Sequence, residues 1–303
     1  MLRQAFLYLS RDKALQRWLL RLPRAHQMGR RFVAGETLSE AVAAVRRLNQ
    51  DGILATLDHL GENVSSPAAA RDACQSGLQA LDAIHREKLQ STLSVKPTQL
   101  GLDISEDLCR ENLRTLAARA GEIADFVEVD MESSAYTDRT VDAIIDVHRE
   151  HPAVGAVIQA YLYRSEADIR RLLQNGVSVR LCKGAYKEPE DRAFPRKADV
   201  DANYRKLMRL LLESGIYHRI ATHDPLMLAA TKEAAGELGL TADKFEFQML
   251  YGVRSELQKQ LVQEGWRMRV YVPFGTEWFA YFMRRLAERP ANAWFALRSM
   301  LGG

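Results

Sequence analysis

The chain has 303 residues, of which 47% are hydrophobic and 27% charged, and its formal net charge is +3. This composition is typical of a globular protein with a substantial core and excludes a disordered chain. No apolar run approaches the roughly 18–20 residues that span a bilayer, and charged residues end the first short run at once, which argues against a signal peptide. Three cysteines without metal-ligand spacing predict a cytoplasmic protein with no metal site.

The positive charge is concentrated at the start of the chain. Residues 1–31 contain eight Lys or Arg and one acid, a balance of +7 (8 − 1), which leaves about −4 (3 − 7) for the remainder. We expect residues 1–35 to form a basic helical arm that either packs on the main body or lies peripherally on the inner face of the cytoplasmic membrane. The arm has few interleaved aromatic side chains beyond Trp18, so nucleic-acid binding is not expected.

After a helical pattern at residues 36–48, short β-type runs alternate with longer helical patterns to the end of the chain. The predicted strands are residues 52–57, 91–95, 126–129, 154–159, 177–181, 217–221, 245–250 and 268–272. The predicted helices that follow them are residues 67–87, 106–120, 137–148, 166–174, 202–214, 225–238, 255–264 and 276–289.

This alternation predicts an α/β fold in which parallel strands are joined by right-handed helical crossovers. Eight strand–helix pairs in about 250 residues fit a closed (β/α)₈ barrel, a TIM-like barrel, spanning residues 36–303. An open doubly wound sheet is the alternative, but no G-x-G-x-x-G turn follows the first strand.

Polar residues gather where the predicted strands end, which is where barrel enzymes place their active sites. They are Asp58, His59, Glu62, Lys96, Asp130, Met131, Glu132, Gln159, Arg180, Lys183, Gly184, Thr222, His223, Asp224, Gln248 and Tyr271. We therefore predict a ligand site at this end of the barrel.

Two further stretches indicate what the ligand is. In the run VRLCKGAYKEP at residues 179–189, Arg180 and Lys183 supply positive charge, and Gly184 and Ala185 let backbone amides approach a phosphate group or an electron-rich heterocycle. The predicted last helix carries adjacent arginines at Arg284 and Arg285, and a guanidinium pair is well shaped to bind a carboxylate.

Together with the motifs SVKPTQLG, VEVDMESS, ATHDP, FEFQMLYG and YFMRRLAE, these stretches resemble the monofunctional bacterial proline dehydrogenases. The same barrel is a domain of the bifunctional proline-utilisation flavoproteins, and the resemblance covers roughly residues 33–300. It implies oxidation of L-proline to Δ1-pyrroline-5-carboxylate, the first step of proline catabolism. It also implies that a hydride passes to N5 of an FAD cofactor and that the electrons then pass to a quinone.

The resemblance also implies roles for individual residues. Asp130 and Arg180 would be catalytic, although the residues leave open whether Asp130 positions Arg285 or assists the amine. The implied substrate-binding residues are Lys96, Leu250, Tyr271, Tyr281, Arg284 and Arg285. The implied cofactor-binding residues are Met131, Gln159, Arg180, Lys183, Gly184, Ala185, Thr222 and His223. Glu62 would pair with the arginine helix, which also carries Glu288, to gate the site, and this last helix would lie over the active site.

Two other functions fit the same residues. One is a Schiff-base aldolase or lyase that uses Lys183 or Lys96 as the nucleophile, since desolvation beside other cations activates a lysine. The other is a non-catalytic barrel that binds amino acids. The first would need no flavin, and the second would leave the density of polar strand ends unexplained.

Overall fold

The computed structural model describes residues 29–186, 188–279 and 281–283. Its strands are β1 Leu54–His59, β2 Ser91–Val95, β3 Val127–Val129, β4 Val154–Gln159, β5 Val179–Cys182, β6 His218–Ala221, β7 Phe245–Leu250 and β8 Met268–Phe274. Its helices are α1 Leu38–Gln50, α2 Pro67–Arg86, α3 Glu106–Glu122, α4 Thr137–Glu150, α5 Ser165–Gln174, α6 Lys197–Glu213, α7 Pro225–Glu237 and α8 Ser255–Gln263.

The eight strands form a closed barrel in sequence order, and every neighbouring pair is parallel. Closure joins β1 to β8 over six residue pairs, from Leu54 opposite Arg269 to His59 opposite Phe274. The predicted (β/α)₈ barrel is therefore confirmed. All eight strands end at the same rim, so the loops that follow them surround one opening.

Local sequence signals set the starts of several helices. Thr37 and Glu40 form a reciprocal capping box at the start of α1. Asp224 caps α7 by accepting a hydrogen bond from the backbone N–H of Leu226, and Pro225 occupies the first helical position, where its missing N–H costs nothing. This cap also fixes the loop after β6 at the rim of the barrel.

The interior of the barrel is unusually polar. Branched apolar side chains normally fill the lumen of such barrels. Here Arg180 on β5 reaches Ser94 on β2, and Arg269 on β8 reaches Thr92 on β2, contacts between strands that are not neighbours. Such contacts can only be made through the lumen, so charged side chains occupy part of the barrel core.

Several predicted boundaries were wrong by a few residues. β1 and β8 extend two residues further than predicted, because His59 and Phe274 still pair across the closure. β5 begins at Val179 rather than residue 177, because the backbone N–H of Val177 donates to Leu172 O and so belongs to the end of α5. α6 begins at Lys197, five residues before the predicted start, in a charged stretch without apolar periodicity.

Both ends of the barrel sequence meet at one place. Residues 29–35 contact the end of β8, since the backbone N–H of Ala34 donates to Pro273 O at 2.9 Å and Gly275 N–H donates to Gly35 O at 3.0 Å. Helical residues 278, 279 and 281–283 follow β8 and are buried. Residues 1–28 and the rest of the predicted last helix lie outside the described residues. Within the described ranges, no helix is both long enough and apolar enough to cross a bilayer.

Candidate active site

A cavity of about 560 Å³ opens at the carboxyl ends of the strands. Its volume is in the usual range for a small-molecule site. The predicted site residues among its lining are Lys96, Asp130, Met131, Gln159, Arg180, Lys183, Gly184, Ala185, Thr222, His223, Leu250, Tyr271 and Tyr281. Residues from β2 to β8 and from the segment after β8 therefore converge on one site, although their individual roles stay predictions.

Asp130 is the centre of the hydrogen bonds on the cavity floor. One carboxylate oxygen accepts from Ser94 Oγ at 2.9 Å and from the guanidinium of Arg180. The other accepts from Tyr271 Oη at 2.8 Å and lies 3.7 Å from Lys96 Nζ. A carboxylate with this many donors is held in a fixed orientation.

The surrounding charges determine the protonation states on this floor. Burial by itself would raise the pKa of Asp130, but Arg180 and Lys96 more than offset this and hold it below its usual value. Burial lowers the pKa of Lys96, but Asp58, whose Oδ1 accepts from Nζ at 2.7 Å, and Asp130 raise it above its usual value. Both groups are therefore charged at neutral pH.

Arg180 links the floor to the layer beneath. Its Nη2 donates to Ser94 Oγ at 3.1 Å as well as to Asp130, and its Nη1 donates to Glu128 and, at 3.4 Å, to Gln248 Oε1. Its guanidinium carbon lies 5.1 Å from the centre of the Tyr271 ring. Contacts at both terminal nitrogens and with the Tyr271 ring thus fix the plane of the guanidinium group.

The layer beneath consists of four charged residues that the sequence reasoning missed. Glu128 contacts Arg219 Nε at 2.6 Å, and Glu246 contacts Arg269 Nε at 2.6 Å. Each of these four residues lies two positions before a residue that lines the cavity, so all four face the lumen one level deeper. Alternation along β3 would have revealed Glu128, since it shares the face of Asp130.

On the β4–β5 side of the cavity, the amide of Gln159 connects two loops. Its Nε2 donates to Glu132 O at 2.8 Å, and its Oε1 accepts from the backbone N–H of Ala185 at 3.0 Å. Gly184 has φ of +128°, and a Cβ there would lie 2.2 Å from Cδ1 of Tyr161. Only glycine allows this backbone to lie flat against the tyrosine ring and line the cavity.

The β6–β7 side carries the predicted Thr222 and His223. The backbone N–H of Leu250 donates to His223 Nε2 at 2.9 Å, so the neutral ring carries its proton on Nδ1. Thr222 Oγ1 accepts from the backbone N–H of Asp224 at 3.1 Å. These bonds fix the loop after β6 against the end of β7.

Lys183 makes two ion pairs at the edge of the cavity. Its Nζ contacts Asp201 at 2.5 Å and Asp224 at 2.7 Å. A cation that reached phosphate groups here would have to share its charge with these two carboxylates.

Other predicted site residues are not brought to the cavity wall or cannot be placed. Glu62 is half-buried in the loop after β1 and does not line the cavity, although its charge acts on Lys96. Arg284, Arg285 and Glu288, the predicted gate and carboxylate-binding residues of the last helix, lie outside the described residues. In the described part of the chain, no group of three or more His, Cys, Asp or Glu side chains could hold a metal ion.

Fold and site together define a (β/α)₈-barrel enzyme with a charged floor beneath a cavity of small-molecule size. The family model described as Proline dehydrogenase matches residues 41–298. The chain belongs to the proline dehydrogenase family, which confirms the resemblance seen in the sequence motifs.

Two curated proline dehydrogenases match over nearly their whole length. The chain is 45% identical over 302 residues to Proline dehydrogenase 1 of Bacillus subtilis (strain 168), covering 99% of each protein. It is 42% identical over 281 residues to Proline dehydrogenase of Deinococcus radiodurans, covering 91% of each.

A solved structure also matches. The crystal structure of proline utilization A (PutA) from Bdellovibrio bacteriovorus inactivated by N-propargylglycine superposes with a TM-score of 0.83 at 29% identity. That match covers 88% of this chain, which spans 33% of the PutA chain.

Proposed function

We propose that this protein oxidises L-proline to Δ1-pyrroline-5-carboxylate with FAD as the electron acceptor in the site. The observation that carries the proposal is the floor of the cavity, where Lys96, Asp130, Arg180 and Tyr271 form one connected group in a chain that belongs to the proline dehydrogenase family. The B. subtilis relatives of nearly equal length support the same activity.

The residues of the cavity fit a flavin. A flat heteroaromatic ring needs apolar walls with a few polar contacts at its edge. Val157 and Met249 contribute apolar wall, while Gly184 opens the backbone on one side and the polar side chains of Thr222 and His223 lie on the other. When bound, FAD supplies the two-electron acceptor that no amino-acid side chain provides.

The chain's own groups bind and orient the substrate. Lys96 stays protonated beside Asp58 and Asp130, so it offers a cation to the carboxylate of proline. Arg284 and Arg285 would complete this anion site. The depressed pKa of Asp130 makes it a weak proton acceptor, which favours an electrostatic role, holding cationic partners, over removal of the amine proton.

The burial of the floor matters for the reaction step. Lys96 and Arg180 are only 7% and 5% exposed, so their interactions are little screened by water. Closure of the last helix over proline would exclude the remaining water, with Tyr281 already buried on the cavity wall. Glu62 and Glu288 would control this closure.

The lyase alternative is less well supported. Schiff-base chemistry requires a neutral amine, but the two nearby carboxylates hold the pKa of Lys96 above its usual value. Lys183 is likewise paired with two carboxylates.

We also propose that the electrons pass to a membrane quinone and that the basic arm at the start of the chain, whose residues 29–35 pack against the end of β8, brings the cytoplasmic protein to the membrane surface. The +7 balance of residues 1–31 supports attraction to anionic lipid. Deletion of residues 1–31 should abolish sedimentation with anionic vesicles at low salt, with neutral vesicles as the control. Unchanged binding would reject the arm as the anchor.

The activity itself is tested by steady-state turnover. Purified protein loaded with FAD should reduce an artificial dye only when L-proline is present, and ortho-aminobenzaldehyde should trap the cyclic imine product. Turnover without FAD, or no imine despite dye reduction, would contradict the proposal.

A further inference from the structure

The charged layer beneath Arg180 is built around Glu128. This residue lies on β3 two positions before Asp130, so both carboxylates face the lumen. One oxygen of Glu128 contacts Nη1 of Arg180, and the other lies 2.6 Å from Nε of Arg219. Glu128 is 1% exposed, so these contacts are shielded from water.

Glu128 on β3 and Asp130 just after it hold Arg180 between them. Asp130 contacts Nη2 at the cavity floor, and Glu128 contacts Nη1 from below. Two carboxylates on two different terminal nitrogens fix both the position and the plane of the guanidinium. Without Glu128, only Asp130 would remain as a charged partner, and the neutral contacts with Ser94 and Gln248 would hold the guanidinium less tightly.

Glu128 and Asp130 share the positive charge of Arg180. The other oxygen of Asp130 lies near Lys96 Nζ and accepts a hydrogen bond from Tyr271 Oη. If Glu128 lost its charge, Arg180 would be attracted to Asp130 alone, and the lumen would gain one net positive charge. The lumen is balanced by the residues that contact one another, with cations at Lys96, Arg180, Arg219 and Arg269 and anions at Asp58, Glu128, Asp130 and Glu246.

We propose that Glu128 is a positioning residue for catalysis, which holds the guanidinium of Arg180 at the site where flavin and proline meet. The proposal rests on the proposed function and on the cofactor-binding role that the family resemblance implies for Arg180. It predicts that Glu128 acts on the reaction step through geometry, whereas the binding of the proline carboxylate depends on Lys96 and the arginine helix.

The test separates geometry from charge balance. Glu128→Gln keeps the shape of the side chain but removes its charge. The double variant Glu128→Gln/Arg219→Gln restores the balance of the lumen while Arg180 still lacks its second carboxylate. Glu246→Gln/Arg269→Gln is the matched control, because it removes a lumen ion pair of similar depth that makes no direct contact with Arg180. The amide oxygen introduced at position 246 can still accept the hydrogen bond from Gln248 Nε2, so the neighbour of Arg180 keeps its partner. For each FAD-loaded protein, kcat, KM for proline, the flavin-to-protein ratio, the reduction potential of the flavin and the melting temperature are measured.

We expect kcat to fall at least tenfold in Glu128→Gln and to stay low in its double variant, with KM changed less than threefold and flavin retained. The control pair should keep kcat within threefold of the wild type. The flavin potential should become more positive in the single variant and return toward the wild-type value in the double. If the single variant does not fold, the double variant and the control pair carry the test.

Two results would overturn the proposal. Recovery of wild-type kcat in the Glu128→Gln/Arg219→Gln variant would mean that Glu128 acts only by balancing charge. An equal loss of kcat in the control pair would mean that any disturbance of the lumen has this effect. If the wild-type protein binds flavin but does not oxidise proline, the proposed function is rejected. The flavin potentials of the variants would still report whether Glu128 acts on Arg180.

Discussion

Substitution of Gly184 by alanine tests whether the backbone after β5 forms one wall of the cofactor site. Its φ of +128° disfavours any residue with a Cβ, and that Cβ would lie 2.2 Å from Cδ1 and 2.6 Å from Cγ of Tyr161. These are the inner atoms of the ring, so a small swing of the ring end cannot relieve the overlap. The backbone of Tyr161 is also tied, since its N–H donates to Lys183 O at 2.9 Å.

The magnitude follows from two costs. The unfavourable φ costs about 1–2 kcal/mol. Overpacking against the ring costs about 1–3 kcal/mol more, which the loop can avoid only by moving away from Tyr161. If the loop moves and its contacts with the cofactor weaken by about 2 kcal/mol, the affinity for FAD falls roughly thirtyfold.

Gly215→Ala is the matched control. Gly215 also has a positive φ, +76°, but a Cβ there would meet nothing within 4 Å, and it precedes β6 at the opposite end of the barrel. It should lose about 1–2 kcal/mol of unfolding free energy and keep its affinity for FAD. Titration of the apoproteins with FAD, followed by flavin fluorescence, measures the affinities, and thermal unfolding measures the stabilities.

A Gly184→Ala variant that binds FAD as tightly as the wild type would refute this reasoning. The double variant Gly184→Ala/Tyr161→Ala removes the overlapping ring and should recover part of the lost affinity. No recovery would show that the φ requirement, rather than the contact with Tyr161, dominates.

Three further predictions concern the floor and the core. Tyr271→Phe deletes the 2.8 Å bond to Asp130, and a hydrogen bond to a charged group is worth about 1.5–3 kcal/mol, so kcat/KM should fall about ten- to hundredfold. Lys96→Met removes a buried cation from the substrate site and should raise KM for proline about a hundredfold while flavin stays bound. Burial lowers the pKa of His218 to about 3, so the unfolded state binds more protons between pH 3 and 6.5 and stability falls as pH drops through that window. His218→Asn should remove about 2 kcal/mol of the stability lost between pH 7 and pH 5, whereas His85→Asn, at an exposed position, should not.

Each of these has a clear contrary result. A Tyr271→Phe enzyme within threefold of the wild type in kcat/KM would show that the bond to Asp130 does not matter for turnover. Loss of flavin in Lys96→Met would indicate a folding role for this lysine. An unchanged pH dependence of denaturant unfolding in His218→Asn would mean that another group accounts for the acid sensitivity.

The order of elements was predictable because strand and helix patterns differ in period and length. The bounds of β2, β4 and β7 agree with the prediction, since polar or turn residues end each apolar run. The early start of α6 was not predictable from hydrophobicity, because its first turn is charged. It is stabilised by local ion pairs, such as Arg196 to Asp199 and Lys197 to Asp201.

The rim of the cavity was predictable from strand ends and motifs, but the charged lumen was not. Arg219 and Arg269 lie within strands that read as apolar, and sequence alone gives no partner for a buried arginine. The partners of these arginines are distant in the chain. Arg269 and Glu246 are 23 positions apart, and Arg219 on β6 pairs with Glu128 on β3. Closure of the barrel brings them together, so only the fold reveals the pairs.

The most direct test of the proposed reaction is an anaerobic visible absorption spectrum of the purified protein before and after addition of L-proline. We expect an oxidised flavin spectrum that bleaches when proline is added. A flavin spectrum that proline does not change would contradict the proposed substrate. The absence of flavin absorption, even after incubation with FAD, would contradict the central claim and favour the lysine-based lyase.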